Sequence, residues 1–131
     1  GIGKAGDCGA DAAPGASWAG CDKRGLTRPG GNLQSMTLAG ARLDTARLQG
    51  ANLRYVNLAR ASLRSADLAR ADLMGANLDG ADLSGADLSG ADLRYATLKR
   101  AILDGVRLDG VVLGKTTWVA GTPCDRIEDC R

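Results

Sequence analysis

The chain contains no histidine. That removes the usual general base and the commonest metal ligand. It contains no phenylalanine, and aromatic residues make up only 3% of it, which excludes an interior packed on aromatic anchors. No apolar run approaches the roughly 18 residues of a membrane-spanning helix. Neither sign of charge dominates. Lys and Arg total 17 against 15 Asp and Glu, a net charge of +2, too small by itself to imply nucleic acid or a membrane surface as partner. Glycine is abundant, 19 of 131 residues, and this disfavours long helices because each interior glycine costs about 1 kcal/mol against alanine. The length suits one domain with one core. The chain begins at Gly1 rather than Met, the form expected after removal of a leader.

What is present is a period of five. From Leu33 to Leu113 every fifth residue is leucine, seventeen in succession. Two residues before each leucine stands a second small or apolar residue. Twelve of those seventeen slots hold Ala, and the others hold Gly31, Met36, Val56, Val106 and Val111. A helix cannot bury this pattern. At about 100° per residue, a spacing of five advances each leucine by ~500°, and the row spirals onto every face. A long straight strand also fails, because five is odd and successive leucines alternate faces. A short strand-like stretch reading Ala-x-Leu buries its first and third residues and exposes the second. The next two residues then turn a corner, and four such sides close a coil.

The A-[D/N]-L-x-x unit resembles the pentapeptide-repeat family over about residues 21–120. The resemblance implies an all-β chain folded as a right-handed quadrilateral β-helix. The frame from Cys21 to Ala120 makes about five coils, ~24 Å long at about 4.8 Å per coil. Residues 1–20 are then an N-terminal cap and residues 121–131 a C-terminal disulfide cap. The APGASWAGC run before the repeats looks like the caps of secreted family members. Extended backwards, the frame puts Lys23 and Arg28 in the central leucine slot. Either these side chains reach out past an open end, or the first coil is distorted around Pro29 and Gly30.

In this frame Cys8 and Cys21 lie at one end and Cys124 and Cys130 at the other. Disulfide partners need Cα atoms within about 7 Å, so the expected pairs are Cys8–Cys21 and Cys124–Cys130. Free, buried thiols in a cytosolic protein are the other reading. A zinc site suits neither the spacing nor the lack of histidine. Disulfide-clamped caps imply the periplasm or the cell exterior.

Outer residues twenty apart should be direct neighbours. Arg24, Asp44, Arg64 and Asp104 fall in one column, Arg47, Asp67, Asp87 and Arg107 in another, and Asp79 meets Lys99. Their mostly alternating signs suit a ladder of surface ion pairs. Asp72, Asp79, Asp82, Asp87 and Asp92 form an acidic belt beside an arginine-rich one. The family's gyrase inhibitors resemble duplex DNA through a long acidic surface. A short belt on a chain of positive net charge fits that activity poorly. Stacked carboxylates on a convex wall offer too few of the six to eight oxygens that Ca²⁺ takes.

One outer surface stands apart. Tyr55 and Tyr95 occupy the same corner two coils apart, with Gly75 between them. Arg54 and Arg94 lie beside them and flank Met74. Arg60 and Arg100 repeat on the next corner, with Gly80 between. Exposed Tyr, Arg and Met are enriched at the cores of interfaces, and the two glycines are expected to leave shallow notches. The bland reading is that these side chains merely cover corners. Without histidine no Ser-His-Asp triad exists, a filled convex prism offers no deep pocket, and the Gly1–Gly3 motif lacks the context of a phosphate loop. No cofactor is expected. The reading is a non-catalytic structural or protein-interaction module, such as an accessory subunit of an extracytoplasmic assembly, with a protein as partner. A DNA-mimic inhibitor of an enzyme such as gyrase is the first alternative, and a metal- or glycan-binding surface protein is the second.

Overall fold

The computed structural model describes residues 6–131; the Gly1–Gly3 motif lies outside them. The chain folds as a right-handed quadrilateral β-helix. Parallel bridges join residues twenty apart, from Ser17–Thr37 to Thr97–Thr117. Each side is too short to form an extended strand, so the walls are ladders of single bridges. The side that begins at Ser17 has six levels and the other three have five. The ladder thus takes in Ser17, within the stretch expected to form the N-terminal cap.

One pentapeptide shows why the sequence closes this way. Ala41 and Leu43 point inward and are fully buried, while Arg42 between them is exposed. The Ala46 N–H donates to the Leu43 carbonyl at 3.0 Å and closes the corner. Along the wall the Leu43 N–H donates to Ser62 O at 2.7 Å, and the Arg42 N–H donates to Cys21 O at 2.8 Å. Neighbouring coils therefore satisfy each other's backbone, and stability passes along the axis. The leucines from Leu33 to Leu98 are at most 1% exposed. Burying each contributes about 1.5–3 kcal/mol before ordering entropy is set against it.

The Asp or Asn between Ala and Leu has a structural task. Its Oδ1 accepts the N–H two residues on, as in Asn57 with Ala59 at 3.0 Å and Asp87 with Ser89 at 2.9 Å. That N–H lies in the corner, where no strand partner serves it, and a short side-chain acceptor fills the need.

The first coil keeps its backbone ladder. The N–H groups of Lys23 and Arg28 donate to Arg42 O and Arg47 O at 2.7 and 2.9 Å. Arg28 points to solvent. Lys23 turns over the end, donates through Nζ to Cys8 O at 2.7 Å, and sits 4.0 Å from the centre of a Trp18 ring. Trp18 is buried and donates through Nε1 to Ala10 O at 2.9 Å. Gly6 and Asp7 donate to Ala19 O and Ser17 O and add a short rung over the same side. The charged residues in the leucine slot are thus side chains that leave a regular coil.

Both disulfides form as expected. Cys8 pairs with Cys21 and Cys124 with Cys130, with Cα separations of 5.6 and 5.1 Å. At the C-terminal end β1 (Thr116–Thr117) pairs antiparallel with β2 (Pro123–Cys124), and a 3-10 turn, Ile127–Asp129, follows. Thr116 stands where the repeat has Ala and is fully buried, with its hydroxyl donating to Leu93 O at 2.7 Å. Trp118 fills the last central slot and is buried.

Candidate functional site

The tyrosine corner is built by backbone stacking. The Tyr55 N–H donates to Met74 O, Gly75 to Arg94 O and Tyr95 to Gly114 O, each at 2.9 Å. Tyr55, Gly75 and Tyr95 therefore lie in register on successive coils. The two tyrosines are 57% and 59% exposed, the most exposed of the large apolar side chains. Both hold the corner at positive φ, 58° and 63°, a region that costs a side chain about 1–2 kcal/mol. At these two corners the chain carries a strained residue where glycine would serve.

Gly75 is required by its neighbour. A Cβ there would lie 2.5 Å from Cδ1 and Cε1 of Tyr55. The expected notch is therefore filled, because the edge of the Tyr55 ring lies over Gly75. The stem of Arg60 lies over Gly80 in the same way, with Cγ 3.3 Å from where a Cβ would stand. Tyr55 and Tyr95 stand exposed with Met74 half-buried on the coil between them, and Arg60 and Arg100 are exposed on the adjacent corner.

The arginines beside the tyrosines are already paired. Arg54 Nε binds Asp72 Oδ2, and Arg94 Nη2 binds Asp92 Oδ2 at 2.7 Å. These hydrogen bonds hold both guanidinium groups above their ordinary pKa. The same bond from Arg94 holds Asp92 below the usual carboxylate range against the opposing effect of burial. The wall is amphipathic, with no surplus charge at Arg54 or Arg94 to capture an anion. Sequence reasoning found the residues but missed this pairing. The signal was there in the acids eighteen and two residues away.

The expected straight charge columns are replaced by diagonals. Arg64 binds Asp82 at 3.0 Å and Arg54 binds Asp72, both eighteen residues apart. Arg24 binds Asp22 in its own pentapeptide at 2.7 Å. Asp79 makes no ion pair with Lys99. Its carboxylate accepts the Lys99 backbone N–H at 3.0 Å and the Thr97 hydroxyl at 2.6 Å. A directly stacked side chain points straight out, whereas an arginine at the corner reaches sideways to the acid in the middle of the next coil. Among the described residues only Arg107 and Asp87, 3.9 Å apart, keep the straight column. These exposed pairs contribute only ~0–1 kcal/mol each.

The acidic belt is mostly spoken for. Asp72, Asp79, Asp82, Asp87 and Asp92 each accept a backbone N–H, and all but Asp79 also face an arginine. Among the described residues no three His, Cys, Asp or Glu side chains converge as a metal site would require. A shallow cleft of about 320 Å³ lies where the last coil meets the C-terminal segment, lined by Lys99, Arg100, Val119, Ala120 and Gly121. Its lining holds no carboxylate, hydroxyl or thiol side chain. No helix among the described residues is long and apolar enough to cross a membrane.

Comparison with known proteins agrees with this architecture. The family model for pentapeptide repeats matches in 8 copies over residues 32–64, 41–80 and 71–110, together more than half of the chain. No curated protein sequence matches. Among solved structures, a pentapeptide repeat protein of the cyanobacterium Cyanothece 51142 is 28% identical with a TM-score of 0.57, covering 78% of this chain and 90% of that one. The protein alr5209 of Nostoc Pcc 7120 is 38% identical with a TM-score of 0.62, covering 63% of this chain and 68% of its own. QnrB1, a plasmid-mediated fluoroquinolone resistance protein, is 25% identical with a TM-score of 0.48, covering 74% and 57%. The chain belongs to the pentapeptide-repeat family.

Proposed function

We propose that this protein is a non-catalytic interaction module that works outside the cytoplasm and binds another protein through the wall of Tyr55, Met74 and Tyr95, with Arg60 and Arg100 at its edge. The observation that carries the reading is the pair of tyrosine rings, more than half exposed, on a rigid corner. Exposed aromatic residues on a fixed scaffold lose little entropy on binding. Arg54 and Arg94 are paired with Asp72 and Asp92, so the centre of the face offers aromatic and apolar contact, the kind enriched at the cores of protein interfaces. The location is supported by the two disulfides, which persist in oxidising compartments.

The DNA-mimic reading needs a free acidic stripe. Pairing of Asp72, Asp82, Asp87 and Asp92 with arginines leaves little of one. The test is crosslinked capture from the native source with the wild-type chain and with a Tyr55→Gly/Tyr95→Gly double variant. Glycine suits both corners, so the variant keeps its fold. A partner held by wild type and lost by the variant supports the wall. Equal recovery by both overturns it, and inhibition of gyrase supercoiling by both would put the DNA mimic in its place.

A further inference from the structure

One side of the β-helix runs between two rims that alternate in step. Tyr55 turns the corner into residues 56–58, and Ala59 and Arg60 turn the corner out. Forty residues on, Tyr95 and Arg100 stand at the same two corners, and Gly75 and Gly80 take those places on the coil between. Parallel bridges from Asn57 to Asn77 and from Asn77 to Thr97 hold the three levels in register. At about 4.8 Å per coil the two tyrosine corners are ~9.6 Å apart, and so are the two arginine corners. The floor between the rims is uncharged, formed by Asn57, Asn77 and Thr97, each half-buried.

The groups on this side are open to a partner. Arg60, Lys99 and Arg100 are exposed and make no ion pair among the described residues. Asp79 is the acid on that rim, and its carboxylate is taken by the Thr97 hydroxyl and the Lys99 backbone N–H. The rim therefore carries a positive surplus. Asn57 and Asn77 each accept a corner N–H through Oδ1, from Ala59 at 3.0 Å and from Asp79 at 2.9 Å. That fixes each amide, and its Nδ2 donors find no acceptor among the described residues. At its C-terminal end the basic rim borders the shallow cleft beside Lys99 and Arg100.

We propose that this side binds a proline-rich, acidic segment of the partner in polyproline II form, laid along the axis of the rod. The proposal rests on the tyrosine face as a protein-binding surface and names what that surface takes. The spacing selects the conformation. Polyproline II repeats every three residues at about 3.1 Å each, ~9.3 Å per turn, against ~9.6 Å between like corners. A β-strand sets same-face side chains ~6.7 or ~13 Å apart, and an α-helix sets positions i and i+7 ~10.5 Å apart; neither fits as closely. A polyproline II segment carries three rows of side chains. One row lays proline rings on Tyr55 and Tyr95, as aromatic-lined surfaces take proline-rich peptides. The next brings carboxylates to Arg60 and Arg100, which answers the positive surplus of that rim, and the third faces solvent. The segment has no internal hydrogen bonds, so its carbonyls are there to accept from Nδ2 of Asn57 and Asn77. It is extended before it docks, so little ordering entropy is lost.

The test is fluorescence anisotropy with a fluorescein-labelled peptide of Pro-Glu-Pro repeats, about twelve residues and ~37 Å long as polyproline II, titrated with the full chain. Binding is expected to weaken at least ~10-fold in a Tyr55→Gly/Tyr95→Gly variant and in an Arg60→Gly/Arg100→Gly variant. All four positions hold positive φ, which glycine adopts freely, so both variants are expected to fold with an unchanged circular dichroism spectrum. Arg70→Gly, at positive φ on a different corner, is expected to leave binding unchanged. Peptides with glycine for proline, or lysine for glutamate, are expected to bind at least ~10-fold more weakly. A wild-type chain that does not bind the peptide overturns the proposal, and so does binding that survives loss of the tyrosines. Equal binding of the glycine peptide would reduce the contact to charge and overturn it as well. Crosslinked capture keeps this failure apart from failure of the tyrosine face itself: a native partner lost with the tyrosines, beside a peptide that never binds, overturns the polyproline segment and leaves the face standing.

Discussion

The N-terminal end of the rod breaks the repeat in sequence and the C-terminal end keeps it, yet each leaves a row of backbone N–H groups without an acceptor among the described residues: Asp22, Thr27 and Asn32 at the first, Leu103, Leu108 and Leu113 at the second. At the first, Lys23 and Arg28 replace leucine, and Pro29 stands at the edge. Such residues are how sheet edges are kept from pairing. The Cys8–Cys21 disulfide and the Trp18–Ala10 and Lys23–Cys8 hydrogen bonds then fasten a short segment beside Trp18 and Lys23, while Arg28 stays in solvent. At the second, Leu103, Leu108 and Leu113 continue the pattern without a fault, yet their coil lacks a neighbour. Regular sequence and satisfied structure are separate properties in a solenoid, because each coil relies on the next for half of its hydrogen bonds.

The largest expected effect contrasts the middle with the open end. Leu73→Ala should cost about 2–5 kcal/mol in urea unfolding, as a fully buried leucine that leaves a cavity. Leu108→Ala should cost less than half of that. Equal losses would mean that the last coil is as well packed as the middle.

Next come the clamps. Replacing Cys8 and Cys21 by serine should remove about 2–3 kcal/mol, and replacing Cys124 and Cys130 should remove less, since its loop is shorter, with separations of 13 and 6 residues. A greater loss at the C-terminal pair would reverse the ranking of the two ends.

A smaller effect has the opposite sign. Thr45 is β-branched and sits at φ 61°. Thr45→Gly should raise the unfolding free energy by about 1 kcal/mol, from relief of the left-handed backbone less the entropy that glycine adds to the unfolded chain. A destabilised variant would show that the Thr45 side chain contributes more than its backbone costs.

The smallest concerns acid. Asp82 is held below the usual carboxylate range, first by the Ser84 hydroxyl and with help from Arg64, and Asp92 by Arg94. A depressed carboxylate stabilises the fold above its unfolded pKa of about 3.9, and that stability is lost as pH falls through the lower folded value. The urea midpoint should therefore be flat from neutrality to about pH 5 and drop below about pH 4. Asp82→Asn with Asp92→Asn should flatten the drop. An undiminished drop would assign the acid sensitivity to other carboxylates.

The sequence made the coil legible because a five-residue period leaves few ways to bury a leucine row. It made the cysteine pairs legible because they fall at opposite ends of a rod. It did not reveal the rest for physical reasons. Lys23 is explained by Cys8, fifteen residues away, in a segment with no repeat of its own. The diagonal pairs, such as Arg54 with Asp72, depend on how far an arginine reaches from a corner. The filled notch at Gly75 depends on which way the Tyr55 ring leans. The open edge at Leu103 and Leu108 is invisible to periodicity, since the last coil has the pattern of an interior one.

The most direct measurement is amide hydrogen exchange along the last coil and the coil before it. The amides of Leu83, Gly85, Leu88, Gly90 and Leu93 should be protected, since each donates along the wall to the last coil at 2.8 Å. Those of Leu103, Gly105, Leu108, Gly110 and Leu113 should exchange nearly as fast as in an open chain. Equal protection of the two rows would contradict the account in which each coil relies on the next for its backbone hydrogen bonds.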